Sequence, residues 1–450
     1  MSGTDDNAAD RPVLATTFMQ DSVRVSQREG PVFQRTLFNL DFTFVSGVDL
    51  VAELADEQRF VKHVYPNLAS LRPMVGDGLL TAETDDPHWQ TAHGVLASGF
   101  TQQAMRRHHP RMVAVVDDLT RAWDRAVNAG PVDVTDDMTR TALEIIAAAG
   151  FGQSLGAFRL NQSHPFVRAL TETILHCIRR VTLPPDIGVL LGRRDEHRYA
   201  ENVSRLNAIV DDIIAARHDT EEADLLAHML SARSLDRRAI RHQIITFLAA
   251  GYETTAGALA FTLYALATHP DVLARARDEV DEVWGEQSPQ YEQVAGLRYL
   301  RRVIDESLRL WPSAPGYARR ARTDTILGGK YPMRAGDAMF VLIPALHRDP
   351  VWGRDVDRFD PDRFLRDRVA ARPAHAYKPF GSGVRACIGR QFALHQIALV
   401  IGTLIRRYEM RSDPAYRLRI QEALTMRPAG FALDLALRKE SADDRRRSLP

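Results

Sequence analysis

The stretch 240–268 is largely apolar along its whole length. It is too extended for a strand, and polar residues interrupt it too often for a membrane span, so it reads as one long helix. His269-Pro270 breaks it, and Pro270 can open a second helix running to Val283. Apolar residues three and four apart predict further helices over 111–129, 202–217, 299–311 and 388–408. Strand-like pieces are few and short: 33–45, 324–332, 338–342 and 430–437. The expected class is mainly α with a small β region. Length alone would allow about three domains, yet no Gly/Ser tract, Pro-rich spacer or internal repeat divides the chain. Residues 1–25 are expected to be a flexible N-terminal segment, 26–440 one functional domain, and 441–450 a flexible tail.

Lys+Arg and Asp+Glu both number 58. The balance gives no electrostatic argument for nucleic acid or an anionic membrane. The N-terminus MSGTDDNAADRPV has no basic start followed by an apolar run, so it is no signal peptide. No stretch is expected to span a bilayer. Two cysteines, Cys177 and Cys387, make no disulfide framework. A reduced, cytoplasmic protein is the expectation, and a free thiolate suits it.

Cys387 stands in KPFGSGVRACIGRQFALHQ, residues 378–396, between a glycine-bearing loop and a strongly helical segment. The dipole of a helix start is expected to lower the pKa of its thiol. Gly381 and Gly383 permit backbone angles that turn peptide N–H groups toward the sulfur. Gly389 would let a flat ligand approach closely, and Arg385 is placed to meet a carboxylate on it. A lone cysteine is by default a small buried hydrophobe. Here the pattern Phe-x-x-Gly-x-Arg-x-Cys-x-Gly, from Phe380 to Gly389, outweighs that default. Zinc is disfavoured, because no second Cys or His pair lies nearby. A single axial thiolate points to haem, to which it donates electron density that favours O–O cleavage.

This loop resembles the cysteine loop of the cytochrome P450 family, and the family's other signatures appear upstream in order. Glu306 and Arg309 share a helix face, and FDPDRF supplies Arg363 as a third partner. The resemblance implies that these three lock the core behind the cysteine loop, a structural role. AAGYETTAG carries Ala250, Gly251, Glu253, Thr254 and Thr255. There the Thr254 hydroxyl can compete for the carbonyl of Ala250 and open a groove in the helix. Glu253 and Thr254 then offer a carboxylate and a hydroxyl side by side for proton delivery. Trp89 and His93, four apart, and Lys62 are implied partners of the haem propionates.

The resemblance runs from about Asp56 to Leu437. It is greatest to the haem domains of self-sufficient bacterial fatty-acid hydroxylases fused to a diflavin reductase. It implies the P450 fold as a single haem-binding domain holding haem b (iron protoporphyrin IX). It also implies insertion of one atom of O2 into an apolar small molecule. Three departures stand out. No flavin or nicotinamide segment follows Pro450, so electrons are expected from a separate ferredoxin or flavodoxin-type reductase system. The Arg and Tyr that hold a fatty-acid carboxylate in that subgroup fall at Leu40 and Phe44 here, which puts fatty-acid hydroxylation in question. A bulky Phe over the haem is replaced by Leu80, which opens room for a wider substrate. Leu68, Leu71, Ala250, Ala314 and Leu424 are expected to complete an apolar pocket. The rival readings are a peroxide-driven enzyme of the same fold and a haem-binding sensor without turnover.

Overall fold

The computed structural model describes residues 17–37, 40–159, 164–182, 192–217, 224–285 and 288–438. Helix Arg237–Thr268 runs through the middle of the molecule. Asp236 caps its start by accepting from the Ala239 N–H at 2.7 Å. Its apolar residues cover nearly every face, which demands neighbours all round. Helices Val134–Ile145, Arg298–Leu310 and Arg390–Arg407 supply them. By length and composition this helix could cross a bilayer, contrary to the sequence reading. In the fold, 72% of its most apolar window is buried, and it serves as the core helix.

The other helices fall near their predicted places with shifted ends. The one predicted from 111 starts at Gln102 and runs to Ala126, carrying Pro110 inside it. Proline usually signals a boundary, but here the loss of one backbone bond is tolerated within a long, well-packed helix. The helix predicted over 202–217 spans Gly192–Ala215. Pro270–Trp284 follows the core helix directly.

The segment 33–45, too long for one strand, is a hairpin of Val32–Leu37 and Leu40–Val45. It joins a five-stranded sheet in the order Val32–Leu37, Leu40–Val45, Ala338–Leu342, Gly316–Ala321, Phe60–His63. Leu40–Val45 pairs with Ala338–Leu342 in parallel, and the other pairings are antiparallel. The segment 324–332 likewise folds back, as Thr325–Leu327 against Tyr331–Met333. Ala432–Leu437 pairs with Tyr408–Arg411.

Of the expected flexible segment 1–25, residues 1–16 lie outside the described residues, and the part from Phe18 on needs correction. Phe18–Glu29 is a helix. The N–H groups of Met19 and Gln20 donate to the Glu422 carboxylate at 3.0 and 3.1 Å, and Ser22 is fully buried. The N-terminal helix is therefore tied to the far end of the chain. Its sequence, FMQDSVRVSQRE, has too few apolar residues to announce this. The tail 441–450 lies outside the described residues.

Candidate active site

The cysteine loop takes its shape from two glycines. Gly381 and Gly383 have φ of +72° and +68°, in the left-handed region that side chains resist. A Cβ on Gly383 would also lie 1.9 Å from Oε1 of Glu57. That oxygen accepts the N–H of Val384 at 3.1 Å. The loop closes where the Cys387 N–H donates to the Phe380 carbonyl at 2.9 Å. Helix Arg390–Arg407 begins just beyond, after Gly389.

The Cys387 sulfur stands at the wall of a cavity of about 400 Å³ that also touches the core helix. Cys387 is accessible, although protein surrounds it, because its exposed surface faces this cavity. Burial pushes its thiol above the ordinary value, against the pull of the Gly389 N–H and the Arg390 charge. The expected lowering by the helix start is thus outweighed by desolvation. A bound metal cation would reverse the balance and hold the sulfur as thiolate.

A cationic rim lies on the loop side. Arg385 donates to the carbonyls of Leu79 and Ala82 at 2.8 and 2.9 Å and sits 4.4 Å over the Trp89 ring. Trp89 stacks on His93 at 4.9 Å. Lys62 donates to the Leu80 carbonyl. Burial, reinforced by the Arg385 charge, pulls the Lys62 ammonium down to about 7. Burial brings Arg385 to about 10. Among the described residues neither cation has a carboxylate within ion-pair distance. Glu83 acts on both from a distance, and Glu57 and Asp86 on Arg385; buried cations without a direct partner are costly, so the rim suits an anionic ligand. Gly389 keeps the wall beside the sulfur bare, since a Cβ there would come within 3.9 Å of Sγ. A flat iron tetrapyrrole bearing two carboxylates fits this donor set: one sulfur for the metal, two cations and a histidine for the carboxylates.

On the core helix, Ala250, Gly251, Thr254, Thr255 and Ala258 line the same cavity. The Thr254 hydroxyl donates to the Ala250 carbonyl at 2.7 Å, the competition expected from the sequence. Glu253 is turned elsewhere. It lines a second, polar cavity of about 350 Å³ together with Tyr252, His164, Arg140 and Arg427. Burial raises its carboxyl pKa, while Arg427 acts to lower it. Neighbours on a helix point about 100° apart, so the two groups leave different faces of the helix.

Leu68, Leu80, Ala250 and Ala314 line the first cavity as expected. Leu71 and Leu424 do not. Leu71 is 1% exposed within the helical core, and Leu424 packs against that core. Neither Leu40 nor Phe44 lines the cavity. Phe44 is fully buried among Phe33, Phe42 and Phe340.

Behind the loop, Arg309 grips Glu306 with two bonds of 2.6 and 2.7 Å, both side chains fully buried. Arg363 approaches the same carboxylate at 3.5 Å, and the Asp360 N–H donates to it at 2.9 Å. The sequence reading missed His347. It is fully buried, and burial holds it neutral by pulling its pKa down to about 3. Its Nδ1 faces the Arg309 carbonyl at 3.0 Å, and its Nε2 accepts the Lys378 N–H at 2.9 Å. The imidazole thus links the Glu306–Arg309 pair to the start of the cysteine segment. Only the string LIPALHRD hinted at it, since a single histidine leaves no periodic signal.

The profile of the cytochrome P450 family matches residues 13–434. The chain belongs to the cytochrome P450 family. It is 41% identical over 447 residues to the bifunctional cytochrome P450/NADPH–P450 reductase of Bacillus cereus, covering 96% of this chain and 41% of that protein. A bifunctional P450/reductase of Bacillus subtilis is 39% identical, with 93% and 40% covered. A self-sufficient P450 monooxygenase of Aspergillus niger, CYP505E5, is 35% identical, with 94% and 41% covered. The chain therefore spans about two fifths of the length of these relatives. The crystal structure of the P450 CYP102L1 superimposes with a TM-score of 0.89 at 37% identity, over 95% of this chain and all of that one. The mainly helical P450 fold with small sheets is the fold of this chain.

Proposed function

We propose that this P450 is a haem-thiolate monooxygenase acting on an apolar small molecule. The observation that carries the reading is the placement of Cys387 and Thr254 on one cavity with Lys62 and Arg385, which make no direct ion pair among the described residues. Cys387 would ligate the iron of haem b, Lys62, His93 and Arg385 would hold the propionates, and Trp89 would pack against them. The bound haem supplies the activation of O2.

The chain's own residues do the rest. Thr254 Oγ1 holds a proton at the cavity and is tied to the Ala250 carbonyl until it is used. Glu253 brings protons from the second cavity, on an adjacent face of the helix. Leu68, Leu80, Ala250 and Ala314 bind and orient an apolar substrate and exclude water. Glu306, Arg309 and Arg363 hold the loop in place from behind. The substrate is a long apolar molecule, a fatty acyl chain or an intermediate of specialised metabolism, bound without a carboxylate clamp. Leu40 and Phe44 offer no such clamp. The names of the Bacillus relatives pair their P450 with an NADPH–P450 reductase, so a diflavin reductase is the first electron donor to test.

The test is NADPH consumption by the holoenzyme with a surrogate diflavin reductase, screened against apolar compounds. Consumption that rises several-fold with a compound and yields its oxygenated product is the expected result. A haem-binding sensor would show none. Product formed with hydrogen peroxide alone at an equal rate would establish the peroxide-driven alternative.

A further inference from the structure

Lys62 and His63 are consecutive on the edge strand Phe60–His63, so their side chains leave opposite faces of the sheet. Lys62 shares its face with its cross-strand partner Arg319, and both belong to the loop side. His63 pairs with Ala318, which pairs in turn with Phe340. It therefore joins the cavity wall to the aromatic cluster that packs behind the sheet. Its ring meets Tyr65 edge-on at 4.9 Å, and Tyr65 stacks on Phe42 at 5.0 Å. This is the sheet that carries Leu40 and Phe44, where the relatives' carboxylate handles are replaced.

The polar groups that the sheet presents to the cavity are otherwise committed, whereas Thr246, Ser313 and Gln396 on its other walls carry buried polar atoms without a partner among the described residues. Lys62 and Arg385 hold backbone carbonyls, Arg319 donates to those of Leu54 and Phe60, Tyr317 meets Ser382, and Thr254 bonds to Ala250. His63 lines the cavity, half-buried, and makes no hydrogen bond among the described residues. Glu83 and Arg320 act on it with opposite signs, and burial favours its neutral form. A neutral imidazole carries one donor and one acceptor nitrogen. That pair matches a hydroxyl, and it lacks the charge a carboxylate prefers.

We infer that His63 is a specificity-determining residue that hydrogen-bonds a neutral, oxygen-bearing end group on a long apolar substrate. The inference rests on the cavity being the substrate site proposed above. It narrows the substrate to alcohols and similar neutral oxygenated chains and sets free fatty acids second.

The test titrates ferric holoenzyme at pH 8 with 1-dodecanol, dodecane and dodecanoate. Occupancy is read from the shift of the ferric absorption band and separately from the heat of binding. 1-Dodecanol should bind most tightly. His63→Phe keeps an aromatic ring and removes the nitrogens. It should weaken 1-dodecanol about five- to tenfold, the worth of one hydrogen bond, and leave dodecane within about twofold. His63→Gln should restore most of the loss. Equal effects on alcohol and alkane, no effect on either, or tightest binding of dodecanoate would overturn the inference. A holoenzyme with an intact thiolate–haem spectrum but no alcohol preference defeats only this inference. Protein without that spectrum defeats the proposed function.

Discussion

Glu306→Ala is expected to remove a large part of the stability of the fold. The carboxylate is fully buried and accepts two bonds from Arg309, a third from the Asp360 N–H and the approach of Arg363. Removing it strands two guanidinium groups in the interior. Breaking such a pair from one side costs about 3–5 kcal/mol, against a total stability of roughly 5–15 kcal/mol. An exposed pair at the same helical spacing would cost about 0–1 kcal/mol. The damage should reach the cysteine loop, because His347 ties the Arg309 carbonyl to the Lys378 N–H. Urea unfolding followed by fluorescence, with haem content measured beside it, checks this. A loss below about 1 kcal/mol with full haem content would contradict the locking role of Glu306.

Thr254→Ala is expected to separate electron consumption from product. The hydroxyl stands on the wall of the first cavity one helical turn from Ala250, whose carbonyl it bonds within its own helix. Its removal should leave substrate binding nearly unchanged, since the wall there stays apolar. Positioned proton-transfer groups contribute roughly 10²–10⁴ in rate, and water in the emptied space substitutes in part. Product per NADPH should fall about tenfold or more, with hydrogen peroxide taking up the difference, while Thr254→Ser restores coupling. Coupled turnover equal to that of the unaltered protein would end the assignment of Thr254 as proton carrier.

Helix positions were legible in the sequence because the apolar spacing survives even where the ends drift. The core helix and Pro270–Trp284 follow it within a few residues. The cysteine loop was legible because Gly381 and Gly383 stand where the backbone needs positive φ. What escaped has physical reasons. Adjacency of Glu253 and Thr254 in sequence suggested one shared site, but the helical turn of 100° per residue sends them to separate cavities. Leu71 and Leu424 could not be told from core residues by hydrophobicity, and Leu71 lies in the core while Leu424 packs against it. Phe18–Glu29 is held by backbone bonds to Glu422, a contact some four hundred residues away that no local pattern encodes. His63 was invisible because strand alternation assigns a face only once the sheet's neighbours are known.

The most direct test is the absorption spectrum of the purified holoprotein, reduced and exposed to carbon monoxide, with and without Cys387→Ser. Sulfur ligation from Cys387 predicts the red-shifted band peculiar to thiolate-bound haem in the native protein and its absence in the variant. A native spectrum typical of histidine-ligated haem, or a variant that keeps the shifted band, would contradict the account.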